Sequence, residues 1–162
     1  MKNAHIDRIS WNEFFMGVAE LAAKRSRDPN TKVGACIVRD KYIVSTGYNG
    51  MPKTCDDSGF PMTRDGNWLE TKYPYVVHAE LNAILNAPTT NLKDCKIYVT
   101  LFPCCECAKA ILQCGIKEVY YLDDKHHNDD TYVASRKMFD TSGVKYIKYG
   151  EQENDTRKKS SE

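Results

Sequence analysis

The sequence predicts a three-layer α/β/α domain with a mixed sheet of about five strands, and three observations lead to this prediction. Strand-like and helix-like segments alternate along most of the 162 residues. Two apolar runs, 33–38 and 42–48, are joined by a tight turn at Asp40 and Lys41, which predicts an antiparallel hairpin. From residue 95 to residue 149 the order is strand, helix, strand, helix, strand, which requires crossover connections and a partly parallel sheet.

Each element is predicted from its own pattern of apolar residues. These residues recur at helical spacing over 11–26, which indicates a helix with one buried face. Pro88 ends a second predicted helix, and Gly115 ends a third that opens at Pro103. The predicted helices are 11–26, 78–87, 103–114 and 131–142, and the predicted strands are 33–38, 42–48, 95–101, 117–122 and 144–149.

Length and composition narrow the possible functions. The formal charge of +1 gives no global electrostatic case for nucleic acid or a membrane as the main partner. No apolar run approaches the roughly 20 residues that span a bilayer, and the first residues lack the apolar core of a signal peptide. We therefore expect a cytoplasmic protein with one domain over residues 1–149 and a polar, disordered tail over 150–162.

The cysteines suggest a metal site. Their number, seven, is odd and no secretion signal accompanies them, which argues against a disulfide framework. On a helix, residues i and i+3 lie about 60° apart, so Cys104 and Cys107 can converge on one ion while Cys105 points elsewhere. A helix start also favours the thiolate that zinc requires. The spacing alone leaves a metal site, a redox pair and plain packing open.

A second helix start supplies further candidates. His78 opens the helix 78–87, and Glu80 follows two residues later. Both side chains can reach an ion that lies off the helix N-terminus. Three protein ligands (His78, Cys104 and Cys107) would leave the fourth tetrahedral position for water, which is typical of a catalytic zinc. The alternative is that His78 is a capping or core histidine and Glu80 a surface charge.

Together the two segments match the signature of the zinc-dependent nucleobase deaminases, H-x-E followed by P-C-x-x-C, in which the Glu is not a ligand. The chain has His78-Ala79-Glu80 and then Pro103-Cys104-Cys105-Glu106-Cys107. In such a site zinc lowers the pKa of its bound water toward neutrality. Glu80 would pass a proton from that water to N3 of a cytosine ring and later to the departing amino group.

The chain resembles the deoxycytidylate (dCMP) deaminase family over roughly residues 11–149. The segments that carry the resemblance are RDPNTKVGACIV, STGYNGMP, TKYPYVVHAELNAILN and LFPCCECAKAILQCGIKEVYY. The resemblance implies a cytidine-deaminase-like fold and the conversion of dCMP to dUMP and ammonia, which supplies dUMP for thymidylate synthesis. It also implies a homo-oligomer, often a hexamer, that is activated by dCTP and inhibited by dTTP with Mg²⁺.

The resemblance further assigns residues to the substrate and to a regulatory nucleotide. Asn49 would contact the deoxyribose, and Ser26 and Lys125 would contact the 5′-phosphate. The other substrate candidates are Ala79, Arg25 and Arg27. The candidates for the triphosphate site are Gly47, Tyr48, Asn49, Gly50 and Lys53, and further polar residues of the loop 50–76 are Arg64, Asp65 and Lys72. For most of these positions, a turn or a solvated surface residue is the alternative.

Other functions remain open at this point. The enzyme could act on dCTP as well, on free cytidine or deoxycytidine, or on a polynucleotide. A polynucleotide enzyme should show a basic face with interleaved aromatic residues, which the formal charge does not favour. A non-enzymatic zinc module would need a closed, four-ligand site. A second, structural zinc at Cys55, His126 and His127 is disfavoured because these residues show no ligand spacing.

Overall fold

The computed structural model describes residues 7–55 and 59–151. The helices are α1 (Trp11–Ala23), α2 (Ala79–Asn86), α3 (Cys105–Gln113) and α4 (Asp130–Ser142), and the strands are β1 (Gly34–Arg39), β2 (Tyr42–Tyr48), β3 (Lys96–Leu101), β4 (Glu118–Asp123) and β5 (Lys145–Lys148). Every predicted element is present, and no end differs from the prediction by more than three residues. A short 3-10 helix, Trp68–Glu70, lies in the segment that was expected to be irregular.

The five strands form one mixed sheet in the order β2-β1-β3-β4-β5. β1 pairs antiparallel with both β2 and β3, whereas β3, β4 and β5 run parallel. The predicted hairpin and the predicted crossovers are therefore both confirmed. This topology brings the start of β1 and the ends of β2, β3 and β4 to the same edge of the sheet, where the connecting loops gather.

Alternate residues of the strands face two separate cores, which is the physical basis of the three layers. On one face, α1 buries Phe15 and Met16. On the other face, α2, α3 and α4 bury Ala83, Ile111 and Phe139. The helices are held in place because their buried side chains pack against the two faces of the sheet. The starts of α2, α3 and α4 therefore have fixed positions at the edge where the loops gather.

Gly47 sets how closely α2 approaches the sheet. A Cβ at this position would overlap the carbonyl oxygen of Ala79 and the amide nitrogen of Ala83. Only glycine therefore lets the end of β2 lie directly against the first turn of α2. Gly47 was predicted as a regulatory residue, and the structure shows it in a packing position.

Two expectations concern the ends of the chain and its relation to membranes. Within the described ranges, no helix is both long and apolar enough to cross a bilayer. The tail predicted over 150–162 lies outside the described residues except for a turn at Gly150 and Glu151. Its disorder, the domain boundary at residue 149 and the cytoplasmic location stay predictions.

Candidate active site

The predicted metal ligands lie at the starts of two helices. His78 is the N-cap of α2 and Cys104 is the N-cap of α3. Cys104 therefore lies just before the first turn of α3, whereas the sequence pattern predicted it inside a helix that begins at Pro103. Cys107 is the third residue of α3. An N-cap side chain usually accepts a hydrogen bond from the first turn of its helix. In the part of the chain that the structure describes, neither His78 nor Cys104 does so, which leaves both side chains for another ligand.

The three side chains converge on one point. The Nδ1 of His78 lies 3.4 Å from the Sγ of Cys104 and 3.5 Å from the Sγ of Cys107. All three ligand atoms lie within 4.8 Å of one another, and residues 7–55 and 59–151 contain no other group of His, Cys, Asp or Glu with this geometry. One imidazole nitrogen and two sulfurs are a donor set that fits Zn²⁺, and three ligands leave one tetrahedral position open.

Hydrogen bonding within this cluster already favours one thiolate. The bond from Cys107 lowers the pKa of Cys104 to about 4, although burial opposes this shift. The bond with Cys104 and burial both raise the pKa of Cys107 well above its usual range. Contact with Cys104 raises the pKa of His78 to about 9. Because zinc binds deprotonated ligands, metal binding would release protons from His78 and Cys107.

Glu80 lies in the first turn of α2 and is almost completely buried, with 4% of its surface exposed. Burial raises its pKa to about 7, while the charge of His78 acts in the opposite direction. Its carboxylate is not part of the ligand cluster. A carboxyl group whose pKa lies near neutrality can both accept and donate a proton under working conditions.

A cleft of about 510 Å³ opens above the cluster. Its walls come from the α1–β1 connection, the loop before α2, the end of β3 and the β4–α4 connection. Tyr132, near the start of α4, forms one wall and stacks on His126 with ring centroids 5.3 Å apart. Sequence reasoning missed Tyr132 and considered His126 only as a possible zinc ligand, because no local pattern relates either residue to the cysteines.

Three of the predicted substrate residues lie at this cleft. Asn49 and Ala79 line it. Lys125 lies at its margin, since its Nζ donates to the Oγ1 of Thr31 at 3.3 Å and Thr31 is a lining residue. Asn49 is nearly buried; its Oδ1 accepts from the Val33 amide at 2.8 Å and its Nδ2 donates to the Thr31 carbonyl at 2.9 Å.

The structure does not bring Ser26 and Arg27 into the lining of this cleft. Ser26 is buried and donates its one hydroxyl hydrogen to the carbonyl oxygen of Asn49 at 2.9 Å. Arg27 lines a different cleft. Their contacts with substrate stay predictions, and for Ser26 such a contact would require the bond to Asn49 to break.

Two residues of the loop that was considered for a regulatory triphosphate lie at the catalytic cleft instead. Arg64 lines this cleft and donates to the Oγ1 of Thr31 at 3.2 Å. Lys72 also lines it and forms a buried ion pair with Asp28. The long separation in sequence between these partners explains why the spacing of residues did not reveal them.

A second cleft, of about 270 Å³, shares Asn49 with the first as a lining residue. Four of the five regulatory candidates line it, and Gly47 does not. The four candidates are Tyr48, Asn49, Gly50 and Lys53. The other polar residues that line this cleft are Arg25, Arg27, Asn82 and Asn86.

The residues considered for a second zinc have other partners. His126 pairs with Asp129, and His127 pairs with Asp124. Among the residues that the structure describes, neither histidine joins Cys55 in a metal-ligand cluster. The structure therefore gives no support to a second zinc at these positions.

Comparison with known proteins identifies the family. The family described as "Cytidine and deoxycytidylate deaminase zinc-binding region" matches residues 9–123. The chain is 54% identical over 145 residues to deoxycytidylate deaminase of Homo sapiens and to that of Pongo abelii, and each match covers 88% of this chain and 82% of the relative. It is also similar to the crystal structure of dCMP deaminase from the cyanophage S-TIM5 in complex with dCMP and dUMP, with a TM-score of 0.69 and 27% identity over 88% of this chain and 98% of that one. The chain belongs to the cytidine and deoxycytidylate deaminase family.

Proposed function

We propose that this chain catalyses the hydrolytic deamination of dCMP to dUMP and ammonia and so supplies dUMP for thymidylate synthesis. The observation that carries the proposal is the convergence of His78, Cys104 and Cys107 beside the buried carboxyl group of Glu80, under a single cleft. The choice of dCMP is supported by the relatives named deoxycytidylate deaminase and by the similar structure that holds dCMP and dUMP.

His78, Cys104 and Cys107 would hold a zinc ion in this proposal. When bound, the ion supplies Lewis-acid chemistry that makes a water molecule acidic near neutral pH. The rigid helix starts of α2 and α3 hold the three donors in place, so little rearrangement is needed to form the site.

Glu80 moves the protons. Its carboxylate takes a proton from the attacking water and delivers it to N3 of the cytosine ring, which makes C4 electrophilic. After the oxygen has added to C4, Glu80 takes the second proton from the new hydroxyl group and transfers it to the amino nitrogen, which leaves as ammonia while C4 becomes a carbonyl. One carboxylate can act twice because its pKa lies near neutrality and it lies beside both the ligand cluster and the cleft.

The cleft also offers contacts that would orient the nucleotide. An amide side chain has two hydrogens and two lone pairs, and the bonds of Asn49 to Val33 and Thr31 leave it able to bind a deoxyribose hydroxyl. Ala79 lies beside Glu80 at the base of the cleft, and Tyr132 provides an aromatic wall for the ring. Lys125 at the margin supplies a positive charge for the 5′-phosphate.

The second cleft is a candidate for regulation by dCTP as activator and dTTP as inhibitor, each with Mg²⁺. Three cationic side chains line it, those of Arg25, Arg27 and Lys53, which suits a triphosphate. Asn49 lines both clefts, so a nucleotide in one can influence the other. Titration of dCTP and dTTP, with and without Mg²⁺, against the initial rate with dCMP would test this.

A homo-oligomer, with a hexamer as the expected size, is also part of the proposal. Large apolar side chains are exposed on the edge strand β2, at Tyr42 and Ile43, and on the outer side of α2, at Leu81 and Leu85. Exposed apolar groups on neighbouring elements are typical of an interface between subunits. Light scattering coupled to size-exclusion chromatography would give the subunit number.

The experiment that tests the proposed function is ammonia release from dCMP, deoxycytidine, CMP and dCTP, measured side by side with and without added dCTP or dTTP. We expect turnover largely confined to dCMP. Equal or faster turnover of deoxycytidine would contradict phosphate recognition. No turnover of any of the four would contradict the proposed reaction.

A further inference from the structure

One arginine of α4 holds the β4–α4 connection, residues 124–129, which forms one wall of the catalytic cleft. The Nη2 of Arg136 donates to the carbonyl oxygen of His127, and its Nη1 lies 3.8 Å from the Oδ2 of Asp124. The same oxygen of Asp124 lies 2.9 Å from the Nδ1 of His127. Arg136 therefore contacts the connection at two points, through a side chain and through the main chain.

The same guanidinium group also reaches the end of β3. Its central carbon lies 5.9 Å from the centre of the Phe102 ring, a distance at which an aromatic face attracts a cation. Phe102 is 1% exposed, lines the catalytic cleft and directly precedes Pro103 and Cys104. Its amide donates to the carbonyl oxygen of Asp123 at 2.8 Å. Arg136 thus joins, beneath the cleft wall, the end of β3 to the connection that follows β4.

The other side chains of the connection are directed to the cleft. His126 and Asp129 line it, and Lys125 lies at its margin. The Nδ1 of His126 lies 3.1 Å from the Oδ2 of Asp129, and the His126 ring stacks on Tyr132. The inner contacts of the connection and its cleft-facing side chains therefore come from neighbouring residues.

Two backbone hydrogen bonds make the connection one unit. The amide of His127 donates to the carbonyl oxygen of Asp124 at 3.0 Å, and the amide of Asp129 donates to that of His126 at 2.9 Å. Because the connection is braced in this way, its inner contacts decide where its outer side chains lie. The inner pair is shielded from water, with 17% of the Arg136 side chain and 15% of the Asp124 side chain exposed. Removal of one partner would leave the other as a poorly solvated charge.

We propose that Arg136 is a positioning residue of the reaction, which holds the β4–α4 wall of the cleft in the arrangement that binds the nucleotide. Arg136 does not line the cleft and is not part of the ligand cluster, so it acts only through its neighbours. The inference rests on the proposed function for the identity of the nucleotide. Because Glu80 and the ligand cluster lie on other elements, affinity for the nucleotide should depend on Arg136 and the chemical step should not.

Matched variants separate these two effects. We compare Arg136→Gln with Lys137→Gln, which removes the same charge from the next, exposed residue of α4. We expect Arg136→Gln to raise KM for dCMP by about 3- to 30-fold, the middle of the range for residues that are coupled through contacts. Zinc content should not change, and kcat should stay within about twofold. A fall in kcat with KM unchanged would overturn the assignment.

Arg136→Lys is the conservative variant. Lysine keeps the charge but lacks the planar fork that lets one side chain bind the carboxylate and the carbonyl oxygen together. It should therefore recover part of the affinity that Arg136→Gln loses. A lysine variant with the same KM as Arg136→Gln would contradict a role for the charge.

Asp124→Asn and the double variant Asp124→Asn/Arg136→Gln test whether the two groups act together. Asp124→Asn keeps the shape of its side chain, and it carries the test if Arg136→Gln does not fold. Because both substitutions break the same contact, the double variant should raise KM no more than the stronger single variant does. Effects on KM that multiply would mean that the two residues act independently, which would overturn the proposed brace.

Two measurements do not depend on turnover. Hydrogen exchange without nucleotide should become faster in residues 124–129 of Arg136→Gln but not in α2 or β1, and calorimetry should show a matching loss of affinity for dUMP. If the wild type does not deaminate dCMP but binds dUMP, and Arg136→Gln loses this affinity, the proposed function fails and the assignment stands. The assignment is overturned if the wild type does not bind dUMP, if the exchange does not change, or if Arg136→Gln binds dUMP as tightly as Lys137→Gln does.

Discussion

The base and the mouth of the catalytic cleft are built in different ways. At the base, His78, Glu80, Cys104 and Cys107 lie at the starts of two helices that pack on a covered sheet. At the mouth, polar donors come from loops that only one buried ion pair and a few hydrogen bonds connect. The difference indicates that the ligand cluster and Glu80 rest on rigid elements, whereas the mouth is formed by loops that can vary without disturbing them.

The largest effect is expected at the base of the cleft, with Cys104→Ala. Loss of one of three ligands should remove zinc, and turnover should fall by more than the roughly 10²- to 10⁴-fold that a proton-transfer group contributes. Metal content by plasma mass spectrometry and ammonia release measure both. Cys114→Ala, at the far end of α3, is the matched control and should keep both. A zinc-loaded, active Cys104→Ala would mean that the base of the cleft is not a metal site.

Glu80→Gln should separate the metal from the proton transfer. The amide keeps the size of the side chain but cannot carry the proton, so kcat should fall by about 10²- to 10⁴-fold while zinc remains. Glu106→Gln is the control, because this exposed carboxylate lines the same cleft and pairs with Lys109. Full activity of Glu80→Gln would end the proposed mechanism.

Gly47→Ala tests whether the base of the cleft depends on the packing of α2. The added methyl group meets the backbone of α2, and overpacking of this kind costs about 1–3 kcal/mol of unfolding free energy. Because α2 carries His78 and Glu80, kcat should fall as well. Urea denaturation and turnover measure the two effects.

Gly17→Ala is the opposite control for the same substitution. Gly17 lies in α1, and a Cβ there meets nothing within 4 Å. The change should therefore stabilise the helix by about 0.5–1 kcal/mol. A Gly47→Ala protein as stable and active as Gly17→Ala would show that the approach of α2 to β2 is not critical.

The smallest effect is expected for Cys105→Ser. Cys105 lines the cleft beside two ligands but lies outside the ligand cluster. Zinc content should stay stoichiometric, and turnover should stay within about twofold, as for most substitutions that remove no specific interaction. Loss of zinc would move the ligand assignment from one of its neighbours to Cys105.

The base of the cleft could be predicted from the sequence because its geometry is local. Two helix starts set the positions of the ligand cluster and of Glu80. Pro103 indicates the start that carries Cys104 and Cys107, and the apolar pattern of 78–87 indicates the start that carries His78 and Glu80. The mouth could not be predicted in the same way. Thr31, Arg64 and Lys125 meet only after the sheet has formed, and 94 positions separate the first from the last. The resemblance to the family assigned both Lys125 and Ser26 to the 5′-phosphate. The structure puts Lys125 at the margin of the cleft, whereas Ser26 donates its hydroxyl hydrogen to the carbonyl oxygen of Asn49.

Asn49 lines both the catalytic cleft and the second cleft. Any coupling between ligands in the two clefts is reciprocal: if a nucleotide in the second cleft changes the affinity for dUMP by some factor, dUMP changes the affinity for that nucleotide by the same factor. Asn49→Ala should bring this factor toward one. The proposed regulation can therefore be tested at equilibrium from either cleft, without any turnover.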